Sequence, residues 1–293
     1  VATPNGYTPI EELKVGDYVL THKGRYRRVY ATMNSETNTI HEIKIAGTET
    51  IETTPEHPFL ARKKERVWNN ERRSYMTVLG EPEWVNAEDL TKDYRVQKNM
   101  ARPHTNFSWE GVNKTFRNQF GTETLTSEDS ISSLWNDEYF WWLMGYFVGD
   151  GSVRYDEEQS RYQFEVCCRK ESAAQHEIKQ ALSELPFNYA FMEKDTTNVF
   201  AINRKELAKF VTLFGGKSKD RYIPDFVFEL EDRMKKSFLD GYLASDGSTE
   251  MVKGKHENHT ITTVSPKLAY TLSELVYDCY GVFCSITKSQ PRD

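Results

Sequence analysis

Apolar and polar positions along the chain change rhythm once, near residue 137. Before that point short runs alternate with a period of two and end at turn residues, the pattern of half-buried strands. Residues 18–20, 27–32, 40–45, 50–53 and 94–97 read as strands, with turns at Lys23-Gly24 and Val15-Gly16-Asp17. Residues 102–136 have no period and are rich in Asn, Thr and Ser, which predicts a connector with little structure of its own. After residue 137 helical spacing sets in. Helix 137–148 is followed by strands near 152–155 and 162–167, helix 171–184, strands near 189–192 and 199–202, and helix 205–214. A second pass runs through helix 232–244, strands near Met251 and 260–264, helix 266–280 and a strand at 283–287. The order α-β-β-α-β-β thus recurs, with the second copy shorter.

Bulk properties narrow the class. A chain of 293 residues is longer than one core usually serves, so two domains are expected. With 38% hydrophobic and 28% charged residues, the composition is that of a folded domain and not of a disordered one. The longest apolar stretch, 139–148, is too short to span a bilayer, and no secretory leader pattern opens the sequence. An intracellular protein without membrane contact is expected. Cys167, Cys168, Cys279 and Cys284 form no C-x-x-C pair, which predicts buried, reduced thiols and neither a disulfide framework nor a zinc site. A net charge of −6 exerts no global pull on nucleic acid. Charge is unevenly spread, however. Arg62, Lys63, Lys64, Arg66, Arg72 and Arg73 crowd one segment, which reads either as a basic arm for DNA or as a solvated flexible loop.

The two passes align at their first helices. Leu143-Met144-Gly145-Tyr146-Phe147-Val148-Gly149-Asp150-Gly151-Ser152 lies over Leu239-Asp240-Gly241-Tyr242-Leu243-Ala244-Ser245-Asp246-Gly247-Ser248, with six of ten positions identical. Small residues four apart, Gly145 with Gly149 and Gly241 with Ser245, share one helical face and predict two backbones in close contact. Each helix then ends on an aspartate, where the macrodipole is already negative. If the two faces pack, Asp150 and Asp246 meet and repel, and a divalent cation removes both penalties. One Asp-Gly-Ser alone is a turn after a helix; two at matching places in a repeat point to a metal site.

These two decapeptides resemble the paired LAGLIDADG motifs of homing endonucleases. The resemblance implies that Asp150 and Asp246 bind Mg2+, with the backbone carbonyls of Gly149 and Ser245 as additional ligands. It implies that the motif helices form a pseudo-twofold core and the strands a saddle for the major groove of double-stranded DNA. Each motif would cut one strand across the minor groove. Asp240 stands where the motif commonly has Ala and is expected to affect helix packing. Between the copies the family often has a Lys just before Ile-Pro; here Lys219 and Arg221 precede Tyr222-Ile223-Pro224, so either is the candidate catalytic group at the scissile phosphate, the alternative being a solvated basic loop. Arginine at that place would never act as a base. Arg154, Arg161, Gln163, Arg169 and Asn203, polar residues on strands or strand edges, are the candidate DNA contacts.

The front of the chain resembles intein splicing domains. Residues 7–20 are similar to the first block of that family, Thr54-Pro55-Glu56-His57 to its T-x-x-H block, and 84–90 continue the same domain. The resemblance implies that His57, helped by Thr54, activates the upstream scissile peptide bond toward an acyl shift. Neither the splicing nucleophile nor the closing His-Asn is in the sequence, so terminal segments are expected to lie outside it, and DNA cleavage is the activity best represented. The expected fold is α+β: a mostly-β Hint-type splicing domain (1–101), a connector (102–136) and a pseudo-twofold α-β-β-α-β-β LAGLIDADG endonuclease domain (137–293). A monomer with internal symmetry is expected, with DNA and the flanking host-protein exteins as partners. Two rival readings remain: a LAGLIDADG protein that binds DNA without cutting, and an autoprocessing domain with a passive insert.

Overall fold

The computed structural model describes residues 1–4, 6–45, 48, 50–97, 105, 107–117, 123–252 and 256–288. The chain divides into two compact units, Val1–Thr105 with Ser285–Asp293, and Asn106–Cys284.

The first unit is built of short strands: β1 (Ala2–Thr3), β2 (Gly6–Tyr7), β3 (Tyr18–Leu20), β4 (Tyr26–Arg28), β5 (His41–Ile43), β6 (Ile51–Thr53), β7 (Pro58–Asn69), β8 (Ser74–Asn86) and β9 (Tyr94–Val96). They pair as hairpins, β1 with β2, β3 with β4 and β5 with β6, and as one three-stranded sheet in the order β8-β7-β9. Its buried apolar residues, Phe59, Ala61, Val85 and Ala87, cluster at the base of β7 and β8, where Phe59 stands opposite Val85. The expected strands at 27–32 and 40–45 are shorter than predicted, ending at Arg28 and Ile43. The segment weighed as a flexible loop is the long hairpin β7–β8. It closes through the Asn69 side chain, which accepts from the Arg72 N–H at 2.8 Å, with Arg73 in the left-handed region at φ 48°.

The second unit holds a large aromatic and aliphatic core. Helix α1 (Glu138–Asp150) starts at Asp137, whose carboxylate accepts from the Phe140 N–H. It leads into β12 (Gly151–Asp156), β13 (Arg161–Arg169), α2 (Ala173–Glu184), β14 (Ala190–Glu193), β15 (Thr197–Ile202) and α3 (Lys205–Val211). These four strands form one antiparallel sheet in the order β12-β13-β15-β14. The second repeat follows with α4 (Asp232–Asp246), the hairpin β16 (Gly247–Val252) and β17 (His256–Ile261), and α5 (Pro266–Tyr280). Helix α5 carries a Ser265 cap, Pro266 in its first turn and Gly281 in the left-handed conformation at its end.

Two expectations need correction here. The segment 102–136 is not structureless: strands β10 (Val112–Arg117) and β11 (Glu123–Glu128) pair as a hairpin, and the residues around it dock on the core. Phe107 stacks on Phe226 at 4.1 Å, and the buried Glu206 carboxylate accepts from the Ser130 hydroxyl, the Ile131 N–H and the Trp109 indole. Polar composition hid these anchors. The expected boundary at 101/102 lies outside the described residues. Second, residues 283–287 form no strand; Phe283 instead stacks on Tyr277 at 4.1 Å, satisfying its apolar surface against α5.

Candidate metal centre and nucleic-acid interface

Helices α1 and α4 meet along their small residues. A Cβ on Gly145 would come to 1.9 Å from the Phe238 carbonyl oxygen, and a Cβ on Gly241 to 1.9 Å from that of Trp142. Trp142 and Phe238 are matching positions of the two motifs, as are Gly145 and Gly241. The contact is therefore reciprocal, the signature of a local twofold relation between the repeats. One turn further on, a Cβ on Gly149 would meet the Ser245 hydroxyl at 1.9 Å and the Asp246 carboxyl carbon at 3.3 Å. No side chain fits there. Asp240 is exposed on α4, close enough to His259 and Tyr280 for their charges to interact, and desolvation raises its carboxyl.

This packing brings Asp246 over the last turn of α1, which itself ends on Asp150. Both side chains reach solvent. The protein around them nonetheless holds both carboxyls above the usual carboxylate range, through desolvation first; for Asp150 the charge of Asp246 adds to the rise. The Tyr242 hydroxyl, 3.5 Å from Asp246 Oδ2, and the Arg221 charge act in the opposite sense on Asp246. Among the described residues no group of three or more His, Cys, Asp and Glu side chains gathers to hold a metal ion, so a cation here would have two aspartates as its acidic donors. Two accessible carboxylates meeting at one helix end, where the charge of Asp246 raises the Asp150 carboxyl, form a hard oxygen donor set suited to a divalent cation.

Arg221 departs from expectation. Its side chain is only 4% exposed. The guanidinium donates to the carbonyl oxygens of Phe147 at 2.8 Å and Gly149 at 2.9 Å, and also to those of Val148 and Gly151. It therefore satisfies the carbonyls that a helix C-terminus leaves open and opposes the dipole there. Both Nη atoms donate to backbone and Nε is buried without a hydrogen-bond partner, so the guanidinium is turned into the protein and not toward solvent; the Gly149 carbonyl, expected as a ligand, accepts from it. Lys219, in the turn before it, is exposed.

The open face of the four-stranded sheet carries the predicted DNA contacts. Along β13 the even positions Phe164, Val166 and Cys168 enter the core, and the odd positions Arg161, Gln163 and Arg169 face away from it. Arg154 on β12 stands opposite Gln163. Four of the five predicted contacts, Arg154, Arg161, Gln163 and Asn203, line one open depression of about 260 Å³ with Ser160 and Tyr162. Arg169 lies at the far end of β13, near enough to Asp150 for its charge to act on that carboxyl. Between the depression and the acids sits Cys167, whose thiol donates to the Asp150 carbonyl at 3.4 Å. The expectation of buried thiols holds for Cys168 alone, since Cys167, Cys279 and Cys284 are half-buried.

In the first unit, Thr54 and His57 share the turn between β6 and β7, with the His57 N–H donating to the Thr54 carbonyl at 3.1 Å. His57 is exposed and packs edge-on to Phe59.

Residues 1–110 match the Hint domain family, and residues 140–217 match the WhiA LAGLIDADG-like domain family, a span that includes the first acid motif but not the second. The chain thus joins a Hint-like region to a LAGLIDADG-like region. That is the architecture of an intein with a homing-endonuclease insert. Its relatives include a DNA polymerase of Thermococcus litoralis, 32% identical over 139 residues, which cover 46% of this chain and 8% of the polymerase. The ATP-dependent DNA helicase Hel308 of Thermococcus kodakarensis is 23% identical over 300 residues, covering 94% of this chain and 26% of the helicase. The chain thus spans a small part of these relatives' length. Among solved structures, the homing endonuclease I-WcaI bound to its DNA recognition sequence aligns with a TM-score of 0.37 and 14% identity, over 56% of this chain and 79% of that one. No helix among the described residues is long and apolar enough to cross a membrane.

Proposed function

We propose that this intein's insert is a site-specific endonuclease that hydrolyses double-stranded DNA at the joined ends of α1 and α4, with Mg2+ as its cofactor. The observation that carries this reading is the reciprocal glycine contact, which holds two accessible aspartates at one point. Asp150 and Asp246 would hold the cation, with the Gly149 and Ser245 carbonyls beside them. Bound there, a divalent ion supplies charge stabilisation at a phosphodiester. Everything else falls to the chain. The α1–α4 contact sets the relation of the two carboxylates, and Arg221 fixes the carbonyls beneath Asp150. Lys219, exposed in the turn before Arg221, is the cation available to a phosphate. Arg154, Arg161, Gln163 and Asn203 contact bases and phosphates along the duplex, and Arg169 contacts it nearer the acids. In the reaction water adds to phosphorus, the P–O3′ bond breaks, and the 3′ oxygen takes up a proton. One strand is cut per motif by a single chain.

The test uses a randomised duplex library with the chain and Mg2+, followed by sequencing of the ends. Cut ends gathered on one sequence are expected. Asp150→Asn and Asp246→Asn are expected to bind that sequence and cut it about a thousandfold more slowly, the scale of losing one charge-stabilising group. Binding without cutting by the unaltered chain would favour a DNA-binding protein instead.

We further propose, on the match of residues 1–110 to the Hint domain family, that the first unit acts in protein splicing of a host chain. His57 would donate a hydrogen bond at the upstream scissile amide, and Thr54 would hold that arrangement. His57→Ala in a chain carrying flanking host segments is expected to stop release at the upstream junction; release at the unaltered rate would rule out that role.

A further inference from the structure

The hairpin β7–β8 has a use that neither proposed activity absorbs. Strand β9 pairs with it only at Ala61, Arg62 and Lys63. From the pair Lys64–Leu79 to the pair Asn69–Ser74 the hairpin has no further strand partner among the described residues. At about 3.4 Å per residue this free ribbon is ~17 Å long. Its faces differ. Cross-strand partners share a face, so Lys64, Arg66 and Trp68 lie with Leu79, Thr77 and Tyr75, while Glu65 and Val67 lie with Val78 and Met76. The first face thus has two cations, two aromatics and no acid. Trp68 and Tyr75 are 49% and 61% exposed and meet edge-on at 5.2 Å, and the Arg66 guanidinium sits 5.3 Å from the Tyr75 ring centre. The tip adds Arg72 and Arg73. Among the described residues Arg66, Arg72 and Arg73 form no ion pair.

Unpaired surface cations beside exposed aromatics on a free two-stranded ribbon are complementary to a phosphate backbone, and a ribbon of this width enters a major groove. We propose that the β7–β8 ribbon is a second, largely sequence-independent DNA contact. Arg66, Arg72 and Arg73 would neutralise phosphates, and Trp68 and Tyr75 would lie against sugar and base edges. The proposal rests on the DNA substrate assigned above. It accounts for how a chain with a net charge of −6 holds a polyanion, by confining its free cations to local faces.

The test is the salt dependence of DNA affinity for the full chain, measured in Ca2+ on a duplex carrying the selected target and on an unrelated duplex. Each phosphate contact contributes about 0.9 to the slope of log affinity against log salt. The triple change Arg66→Gln, Arg72→Gln, Arg73→Gln is expected to lower the slope by about 2 to 3 on both duplexes alike, while the matching triple change to Lys restores it. Glu65→Gln, on the opposite face, leaves the slope within about 0.3 of the unaltered value if only the cationic face is used. An unchanged slope in the Gln variant overturns the proposal and assigns the ribbon to a protein partner. Because cleavage is read separately at saturating DNA, loss of slope with no cutting in any variant would instead count against the nuclease reading alone.

Discussion

The two repeats present the same aspartate at the same helix end, yet surround it differently. The α1 end is clamped from outside by a buried guanidinium on four carbonyls. Among the described residues no cation does the same for α4. The matching tyrosines also diverge. Tyr146 donates to the Cys167 carbonyl at 3.0 Å and ties α1 to its sheet, whereas Tyr242 turns to Asp246. The first repeat carries a four-stranded sheet and the second a hairpin. Symmetry is therefore kept where backbone meets backbone, at Gly145 and Gly241, and relaxed one shell away. A shared site demands equal approach of the helices, but each carboxylate needs only enough support to stay in place.

The largest effects should come from breaking what is symmetric. Gly145→Ala and Gly241→Ala each force a Cβ onto a carbonyl oxygen at 1.9 Å, and each is expected to cost about 3 kcal/mol or prevent folding. Gly216→Ala, where nothing lies within 4 Å, is the neutral control. Urea unfolding reads all three; a large difference between the two motif glycines would contradict the reciprocal contact.

Next comes the asymmetric clamp. Arg221→Met leaves four carbonyls without their donor and is expected to cost about 3 kcal/mol, with Arg221→Lys recovering only part because an ammonium cannot span them. Hydrogen exchange should localise the loss at the α1 end and spare the α4 end.

A smaller effect separates the tyrosines. Tyr146→Phe is expected to cost about 1 kcal/mol with little change in the pH profile. Tyr242→Phe removes a hydrogen bond that favours the ionised Asp246, so cleavage should need higher pH with little loss of stability.

The smallest concerns the metal-free protein. Both acids have raised folded pKa values, so the folded state binds protons more readily than the unfolded one in this range. Their contribution to stability is complete below the ordinary aspartate range and is lost as pH rises through the raised values. In chelator at neutral pH, Asp150→Asn or Asp246→Asn should thus raise the melting temperature, and the gain should vanish on acidification.

How much of this was legible in the sequence follows from what kind of signal each feature leaves. The motif helices announce themselves because glycine spacing and a terminal acid recur in two copies. Arg154, Arg161, Gln163 and Asn203 were legible only as polar residues on strands or strand edges, and folding is what gathers them around one depression. The ribbon β7–β8 was missed because both of its faces are exposed, so residues 62–79 show no alternation to read. The hairpin at 112–128 was missed because what anchors that segment, Phe107, Trp109 and the distant Glu206, leaves no local period. Arg221 was read by its place before Ile223-Pro224, and only the fold reveals that its partners are carbonyls 70 to 74 residues away.

The nuclease reading stands or falls on Asp150 and Asp246 forming one cation site. Calorimetric titration of Mn2+ into the DNA-free chain tests it most directly. A site is expected that either single Asn substitution weakens by at least tenfold and the double substitution weakens little further, since the carboxylates act as a pair. Equal affinity in the unaltered chain and both variants, or losses that simply add, would contradict a shared site.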